Sequence, residues 1–191
     1  MESIVRMGEA AIANTPGDVL ACIGLGSCIG LALFDRSACV AGLAHIMLPE
    51  SNSPTDERRH RFADLAVPSL VEMMLENNAR RSRLEAAVVG GASMFSFGNN
   101  DIGARNDAAV TRLLEEMSIP IAARATGGDK GRTVKVRLGE DCDITVTVRV
   151  AGGREEQLMP ALAGASAARP ALVAGASRPV MARSREGEVI G

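Results

Sequence analysis

Three short apolar segments between residues 19 and 48 constrain the fold more than any other feature of this chain. They are VLACIGL (19–25), IGLALF (29–34) and CVAGLAHIML (39–48), and each contains a glycine. Short apolar segments of this kind, separated by turn-forming residues, are typical of buried β-strands. A sheet buries such strands only when another layer packs on it, so we expect a layered core.

The rest of the first 150 residues alternates between helical and strand patterns. Residues 56–77 and 106–117 place apolar side chains on one side of a helix, and Pro68 is expected either to kink the first helix or to start its second half. Further strands are predicted at 84–90, 119–125, 133–138 and 144–150. The last two alternate apolar with polar residues, so each should have one exposed face. We therefore expect an α/β layered sandwich with a mixed, largely antiparallel sheet and two main helices.

The composition changes near residue 150. Residues 151–191 are rich in Ala, Gly, Pro, Ser and Arg, and their apolar residues show no sustained period. Such a composition favours a flexible tail, and a segment that folds on a partner is the alternative. The predicted organisation is one domain over residues 1–150 followed by a flexible tail over residues 151–191.

The charge and the aromatic content argue against several classes of protein. The chain has 21 basic and 23 acidic residues, whereas binding to duplex DNA requires a net basic face. The absence of Trp and Tyr disfavours single-strand binding by base stacking. No apolar run approaches the roughly 20 residues that span a bilayer, and the N-terminus does not resemble a signal or transit peptide. We therefore expect a cytoplasmic protein without a nucleic-acid partner or membrane insertion.

The possible metal ligands and nucleophiles are few: Cys22, Cys28, Cys39, Cys142, His45 and His60. Because no cysteine pair has the CxxC spacing, a structural zinc site is not expected. In a reducing compartment such cysteines serve mostly as small buried residues, and one of them can be a reactive thiol. Cys39 is expected to fill core space, Cys142 to lie in a turn without a partner, and His60 to be solvated at a polar helix start.

The segments at 29–34 and 39–48 predict a β-hairpin. Asp and Ser in residues 35–38 favour a tight turn. If the turn is centred between residues 36 and 37, paired positions sum to 73 and Cys28 lies opposite His45. Opposed residues share a face, with Cβ atoms about 4.5–5.5 Å apart. A slip of one residue would separate the two side chains.

A thiol beside an imidazole can lose its proton and act as a nucleophile, and the imidazolium can then protonate the leaving group. Residues 26–30 (GSCIG) match G-x-C-x-G, a cysteine version of the nucleophile-elbow pattern. The small residues Gly26 and Ser27 would let a substrate carbonyl approach the backbone, where N–H groups near Ser27 and Cys28 could hold an oxyanion. Each residue also has a structural interpretation, Cys28 as a small buried hydrophobe and His45 as a satisfied core histidine.

Five sequence blocks occur in order between about residue 3 and residue 150. They are GLGSCIG (24–30), AHIMLPES (44–51), GGASMF (90–95), IGARN (102–106) and GGDKGRTV (127–134). Together they resemble the CheD family, the chemoreceptor glutamine deamidases of bacterial and archaeal chemotaxis. Within the fourth block, Asn106 is interpreted as a cap of the helix that follows.

The resemblance implies a CheD-like fold with Cys28 as nucleophile and His45 as its base. It implies hydrolysis of glutamine side chains to glutamate on methyl-accepting chemoreceptors, without a metal or organic cofactor. It also implies the phosphatase CheC as a possible partner. The alternatives are a non-catalytic module that binds receptors or CheC, and a cysteine protease or transglutaminase.

This chain departs from the family pattern at Cys22. The resemblance implies a third active-site residue six positions before the nucleophile, where the family has threonine and this chain has cysteine. A thiol is a weaker hydrogen-bonding group than a hydroxyl, so backbone carbonyls are the alternative means of orienting His45. A disulfide between Cys22 and Cys28 that acts as a redox brake is a further hypothesis.

Overall fold

The computed structural model describes residues 1–93, 101–159 and 181–182, and these residues form three layers. Two helices cover one face of a six-stranded sheet, and the other face of that sheet packs against a five-stranded sheet. Separate apolar clusters fill the two spaces between the layers. The expected α/β layered sandwich with two main helices is confirmed.

The six-stranded sheet lies in the middle of the sandwich. Its strands are, in spatial order, β11 (Met181–Ala182), β2 (Ala10–Ala13), β5 (Val40–Ile46), β4 (Ile29–Asp35), β6 (Glu85–Gly90) and β7 (Ile121–Thr126). All of its neighbouring strands are antiparallel except β6 and β7. Every residue of β4 and β5 is buried because both faces of these strands are covered. This explains why their sequences are continuously apolar rather than alternating.

The five-stranded sheet forms an outer layer. Its strands are, in spatial order, β1 (Glu2–Ile4), β3 (Val19–Leu25), β8 (Arg132–Leu138), β9 (Ile144–Val150) and β10 (Glu155–Met159). Only β1 and β3 pair in parallel. Along β8 and β9 buried residues alternate with more exposed ones, which confirms the predicted single exposed face.

The two helices are α1 (Ala63–Glu76) and α2 (Ile102–Glu116). Helix α1 starts later than the predicted residue 56 and continues through Pro68. Helix α2 starts four residues before the predicted residue 106, because Asp101 caps it by accepting a hydrogen bond of 3.1 Å from the backbone N–H of Ala104. The interpretation of Asn106 as the helix cap is therefore wrong.

Strands β4 and β5 form the predicted hairpin in a different register. His45 lies opposite Gly30 rather than opposite Cys28, so paired positions sum to 75 instead of 73. The cause is the connection, which is a 3-10 turn at Arg36–Ala38 followed by Cys39 in the left-handed conformation (φ 59°). This turn is two residues longer than the one predicted. Because a shift of two residues preserves the alternation of a strand, the assignment of Cys28 and His45 to one face still holds.

A disulfide joins Cys39 to Cys142 across 103 residues of sequence. Cys39 follows the turn between β4 and β5, and Cys142 lies in the loop between β8 and β9, so the bond links the two sheets. The predictions that Cys39 only fills core space and that Cys142 has no partner were wrong.

Beyond residue 150 the described residues include β10 and β11. Strand β10 pairs with β9 at the edge of the five-stranded sheet, so this sheet continues nine residues past the predicted domain boundary. Residues 160–180 and 183–191 of the predicted tail lie outside the described residues, as do the last two residues of the GGASMF block. The flexible tail therefore stays a prediction.

Candidate functional site

Cys28 and His45 belong to the face of the six-stranded sheet that packs on the five-stranded sheet. Cys28 immediately precedes β4, and His45 is the penultimate residue of β5. His45 pairs with Gly30, whose Cβ position faces Leu25 and Val134 between the two sheets, and Cys28 packs against the same apolar cluster. If the pairing pattern is extended past the ladder, Cys28 is a diagonal neighbour of His45. Diagonal neighbours in regular strands are about 7–8 Å apart, and their Cβ atoms are somewhat closer. The fold thus brings the two predicted residues to the same end of one hairpin.

The hydrogen bonding of the His45 ring defines which nitrogen can accept a proton. The side chain is buried, and its Nδ1 lies 3.3 Å from the backbone carbonyl oxygen of Val5. A carbonyl only accepts hydrogen bonds, so Nδ1 carries the proton and Nε2 of the neutral ring carries the lone pair. Nε2 is buried and has no hydrogen-bond partner among the described residues. The available base is therefore Nε2.

Burial favours the neutral form of the His45 ring. Desolvation lowers the pKa of His45, against the opposing effects of the Val5 hydrogen bond and the negative charge of Glu9. The ring is consequently uncharged at neutral pH and can accept a proton from a thiol.

Cys28 is a free thiol at the edge of the core. Its side chain is partly exposed, and burial raises the pKa of the thiol above its ordinary value. The backbone N–H of Gly91 donates to the carbonyl oxygen of Cys28 over 2.9 Å. A Cβ atom at Gly90 would lie 2.1 Å from the same carbonyl oxygen, so only glycine allows this close approach to the backbone of Cys28.

Cys22 lies in the apolar cluster between the two sheets and is fully buried. Burial raises the pKa of this thiol far above its ordinary value, and the charge of the Cys28 thiolate raises it further. Cys22 and Cys28 are both free thiols, so the structure does not contain the disulfide considered as a redox brake. The His45 ring donates its Nδ1 proton to the carbonyl oxygen of Val5, a contact of the kind expected if a backbone carbonyl orients the ring.

Gly26 and Ser27 form the connection between β3 and β4, and both are half-buried. The carbonyl oxygen of Gly26 accepts a hydrogen bond of 2.8 Å from the backbone N–H of Ala92. The carbonyl oxygen of Ser27 accepts one of 2.9 Å from Nδ2 of Asn106. The connection that contains Cys28 is thus held at the carbonyls of Gly26 and Ser27.

Asn106 is the residue near this site that the sequence analysis did not place correctly. It is fully buried, and its Nδ2 also donates to the carbonyl oxygen of Met47 over 2.9 Å. Its position fits the buried stripe of α2, which continues with Ala109, Val110 and Leu113. A polar residue on an otherwise apolar helical stripe is the sequence signal that could have identified it.

His60 and the disulfide lie outside this group. His60 is buried with its Nε2 3.0 Å from Oγ of Ser69, so the prediction that it is solvated was wrong. Burial lowers the pKa of His60, and the charge of Arg59 adds to this effect. Among the described residues, no helix has the length and apolar character needed to cross a membrane.

Comparisons with known proteins identify the relatives of this chain. A family model described as CheD chemotactic sensory transduction matches residues 47–149, a range that begins two residues after His45. A probable chemoreceptor glutamine deamidase CheD of Clostridium botulinum (strain Hall) is 49% identical over 135 residues, which cover 68% of this chain and 83% of the relative. The protein of the same name from Clostridium kluyveri is 46% identical over 137 residues, covering 68% and 84%.

Proposed function

This chain belongs to the CheD family, and from that premise we propose that it is a protein-glutamine glutaminase acting on methyl-accepting chemoreceptors. It converts glutamine side chains to glutamate and releases ammonia. The names of the relatives support this activity, and the surroundings of Cys28 and His45 support a thiol mechanism. The location that we propose is the cytoplasm.

The first half of the reaction forms a thioester. Nε2 of His45 takes the proton of the Cys28 thiol while Sγ attacks the carboxamide carbon of the substrate. Backbone N–H groups at Gly26, Ser27 and Cys28 stabilise the resulting oxyanion. When the C–N bond breaks, the proton on Nε2 passes to the departing nitrogen, and ammonia leaves.

The second half regenerates the enzyme. Nε2 of His45 takes a proton from water, and the hydroxide attacks the thioester carbon. The C–S bond then breaks, the Cys28 sulfur recovers the proton from His45, and the product is a glutamate side chain. The steps use side chains and backbone groups of this chain together with one water molecule.

The observation that carries this proposal is the tautomer of His45. Val5 holds the proton on Nδ1, which leaves Nε2 as a buried base on the same sheet face as Cys28. In this proposal Val5, rather than Cys22, orients the base. Cys22 then fills core space next to the nucleophile, where the family has a hydroxyl group.

The test is mass spectrometry of the cytoplasmic fragment of a chemoreceptor after incubation with the purified chain. We expect glutamine-to-glutamate conversion with the wild type and none with Cys28→Ala or His45→Ala. The double variant Cys39→Ser/Cys142→Ser, shown to be folded by circular dichroism, is the matched control, because it removes two sulfur atoms at the opposite end of the hairpin. Conversion that persists in Cys28→Ala would contradict the mechanism.

A second candidate is a binding module that holds chemoreceptors or the phosphatase CheC without turnover. The observation in its favour is the raised pKa of the Cys28 thiol, which reduces the thiolate fraction at neutral pH. Binding of the receptor fragment by the wild type with no change in its mass would support this candidate. Cleavage of a peptide bond or incorporation of an amine would instead indicate a protease or a transglutaminase.

A further inference from the structure

We propose that Asn106 is a positioning residue that sets the separation of Cys28 from His45, an inference that rests on the proposed function of this pair. One side-chain NH₂ group of Asn106 donates both of its protons. One goes to the carbonyl oxygen of Ser27 and the other to that of Met47, each over 2.9 Å. Ser27 directly precedes the nucleophile, and Met47 follows the base by two residues.

The two carbonyls lie where the pairing of β4 with β5 has ended. The last pair at this end is Ile29 with Ile46, so Ser27 and Met47 are both beyond the ladder. Without further ladder hydrogen bonds, the two strand ends could separate. Asn106 bridges them with a planar group and thereby continues the connection between the strands past the last pair.

Two glycines place Asn106 at this point. A Cβ atom at Gly103 would lie 2.6 Å from the carbonyl oxygen of Gly91, and a Cβ atom at Gly91 would lie 3.0 Å from that of Gly103. The first turn of α2 therefore packs directly on the backbone that supports Cys28. These glycines belong to the GGASMF and IGARN blocks, so the two blocks are in direct backbone contact next to Cys28.

Neighbouring contacts fix the rotation of α2. Oδ2 of Asp107 accepts a hydrogen bond of 3.0 Å from Oγ1 of Thr126, and Asp107 also forms an ion pair with Arg124. Because both partners belong to β7, this part of the helix cannot turn without breaking contacts to the six-stranded sheet. Asn106 is thus held by its own helix and is not free to follow a displaced loop.

The expected consequence is kinetic. A displacement of about 1 Å between reacting groups can lower a rate by roughly 100-fold. Asn106→Leu retains a similar volume but removes both donors. We expect it to lower kcat for deamidation by about 10- to 100-fold with little change in KM, because binding of the substrate does not require the two groups to be aligned.

Val110→Ala is the matched control. Val110 lies four residues further along α2 and is fully buried, but it faces the apolar cluster between the helices and the sheet. This variant also weakens the packing of the helix and touches neither carbonyl. With both variants shown to be folded by circular dichroism, we expect kcat of Val110→Ala to remain within about two-fold of the wild type.

A second readout does not depend on the substrate. The rate of alkylation of Cys28 by iodoacetamide near neutral pH is measured for the wild type, His45→Ala, Asn106→Leu and the double variant. Cys22 is fully buried and the other two cysteines form the disulfide, so Cys28 is the reactive thiol. In the wild-type background, we expect His45→Ala to slow the alkylation of Cys28 several-fold. In the Asn106→Leu background, we expect the same change to slow it by less than about two-fold.

The outcomes separate the two proposals. Equal effects of His45→Ala in both backgrounds, or an unchanged kcat in Asn106→Leu, would overturn the role of Asn106. An absence of any effect of His45→Ala on alkylation would overturn it too, since there would be no pair to position. A wild type that deamidates nothing but shows the coupling would overturn the proposed function and support the role of Asn106.

Discussion

The disulfide between Cys39 and Cys142 offers a direct test of how the two sheets are held together. The perturbation is the double variant Cys39→Ser/Cys142→Ser, which removes the bond without leaving an unpaired thiol at either of its two positions. Other contacts at the same place remain, because Nη1 of Arg36 donates to the carbonyl oxygen of Ile144 over 2.9 Å. Nη1 of Arg36 also lies 4.0 Å from Oδ1 of Asp143. The folded structure is therefore expected to persist, and the loss should act mainly on the unfolded chain.

The magnitude follows from the length of the closed loop. The two cysteines are separated by 103 residues. For a loop of about 100 residues, the entropy of loop closure predicts a stabilisation of about 4.7 kcal/mol, and measured values are commonly about 2–5 kcal/mol. We expect the free energy of unfolding of the double variant to be lower by about 3–5 kcal/mol. At a slope of roughly 2 kcal/mol/M, the urea midpoint should fall by about 1.5–2.5 M.

The assay is urea unfolding followed by far-UV circular dichroism, since the chain has no Trp for fluorescence. A reducing agent should lower the midpoint of the wild type to that of the double variant and leave the double variant unchanged. Mass spectrometry confirms that the bond is present in the oxidised wild type. Equal midpoints of the oxidised wild type and the double variant would refute the loop-closure reasoning.

Three further predictions concern the site and the ion pair of Asp35 with Arg83. Because burial lowers the pKa of His45, the acid limb of the pH profile of kcat/KM for deamidation should have its midpoint below the ordinary imidazole pKa of about 6.5. A midpoint above that value would indicate an imidazolium stabilised by the thiolate. Cys22→Thr restores the family's hydroxyl group, and we expect a change in deamidation rate of less than about three-fold if Val5 orients His45; a larger increase would assign that role to position 22. Asp35 is buried, and Arg83, whose side chain is 32% exposed, donates to it from Nη2 over 2.7 Å, so Asp35→Asn should lower the free energy of unfolding by about 1–2 kcal/mol at pH 7. Burial alone would raise the pKa of Asp35, but hydrogen bonds from Arg83 and from two backbone N–H groups lower it. This contribution is present above the unfolded-state pKa of about 3.9 and is lost as the pH falls through the lower folded-state value, so urea midpoints of the wild type and the variant should converge below about pH 4.

Local patterns in the sequence determined most of the secondary structure. The strands at 19–25 and 144–150 were predicted with the bounds that the structure has. Their patterns, an apolar run and a regular alternation, report the burial of most residues along a single strand, although Ile23 in the apolar run is exposed. The placement of Cys28 and His45 on one face of the hairpin was predicted from the alternation of side chains along a strand. This alternation is unchanged when the register of the hairpin shifts by two residues.

The tertiary structure decided every feature that depends on partners distant in sequence. The length of the turn before Cys39 set the register, and the partner of Cys142 lies 103 residues away. Asn106 contacts Ser27 and Met47, which are separated from it by 79 and 59 residues. A sequence pattern describes how a residue faces its own helix or strand. Which carbonyl or sulfur it meets depends on how the layers pack, and this cannot be determined from any single segment.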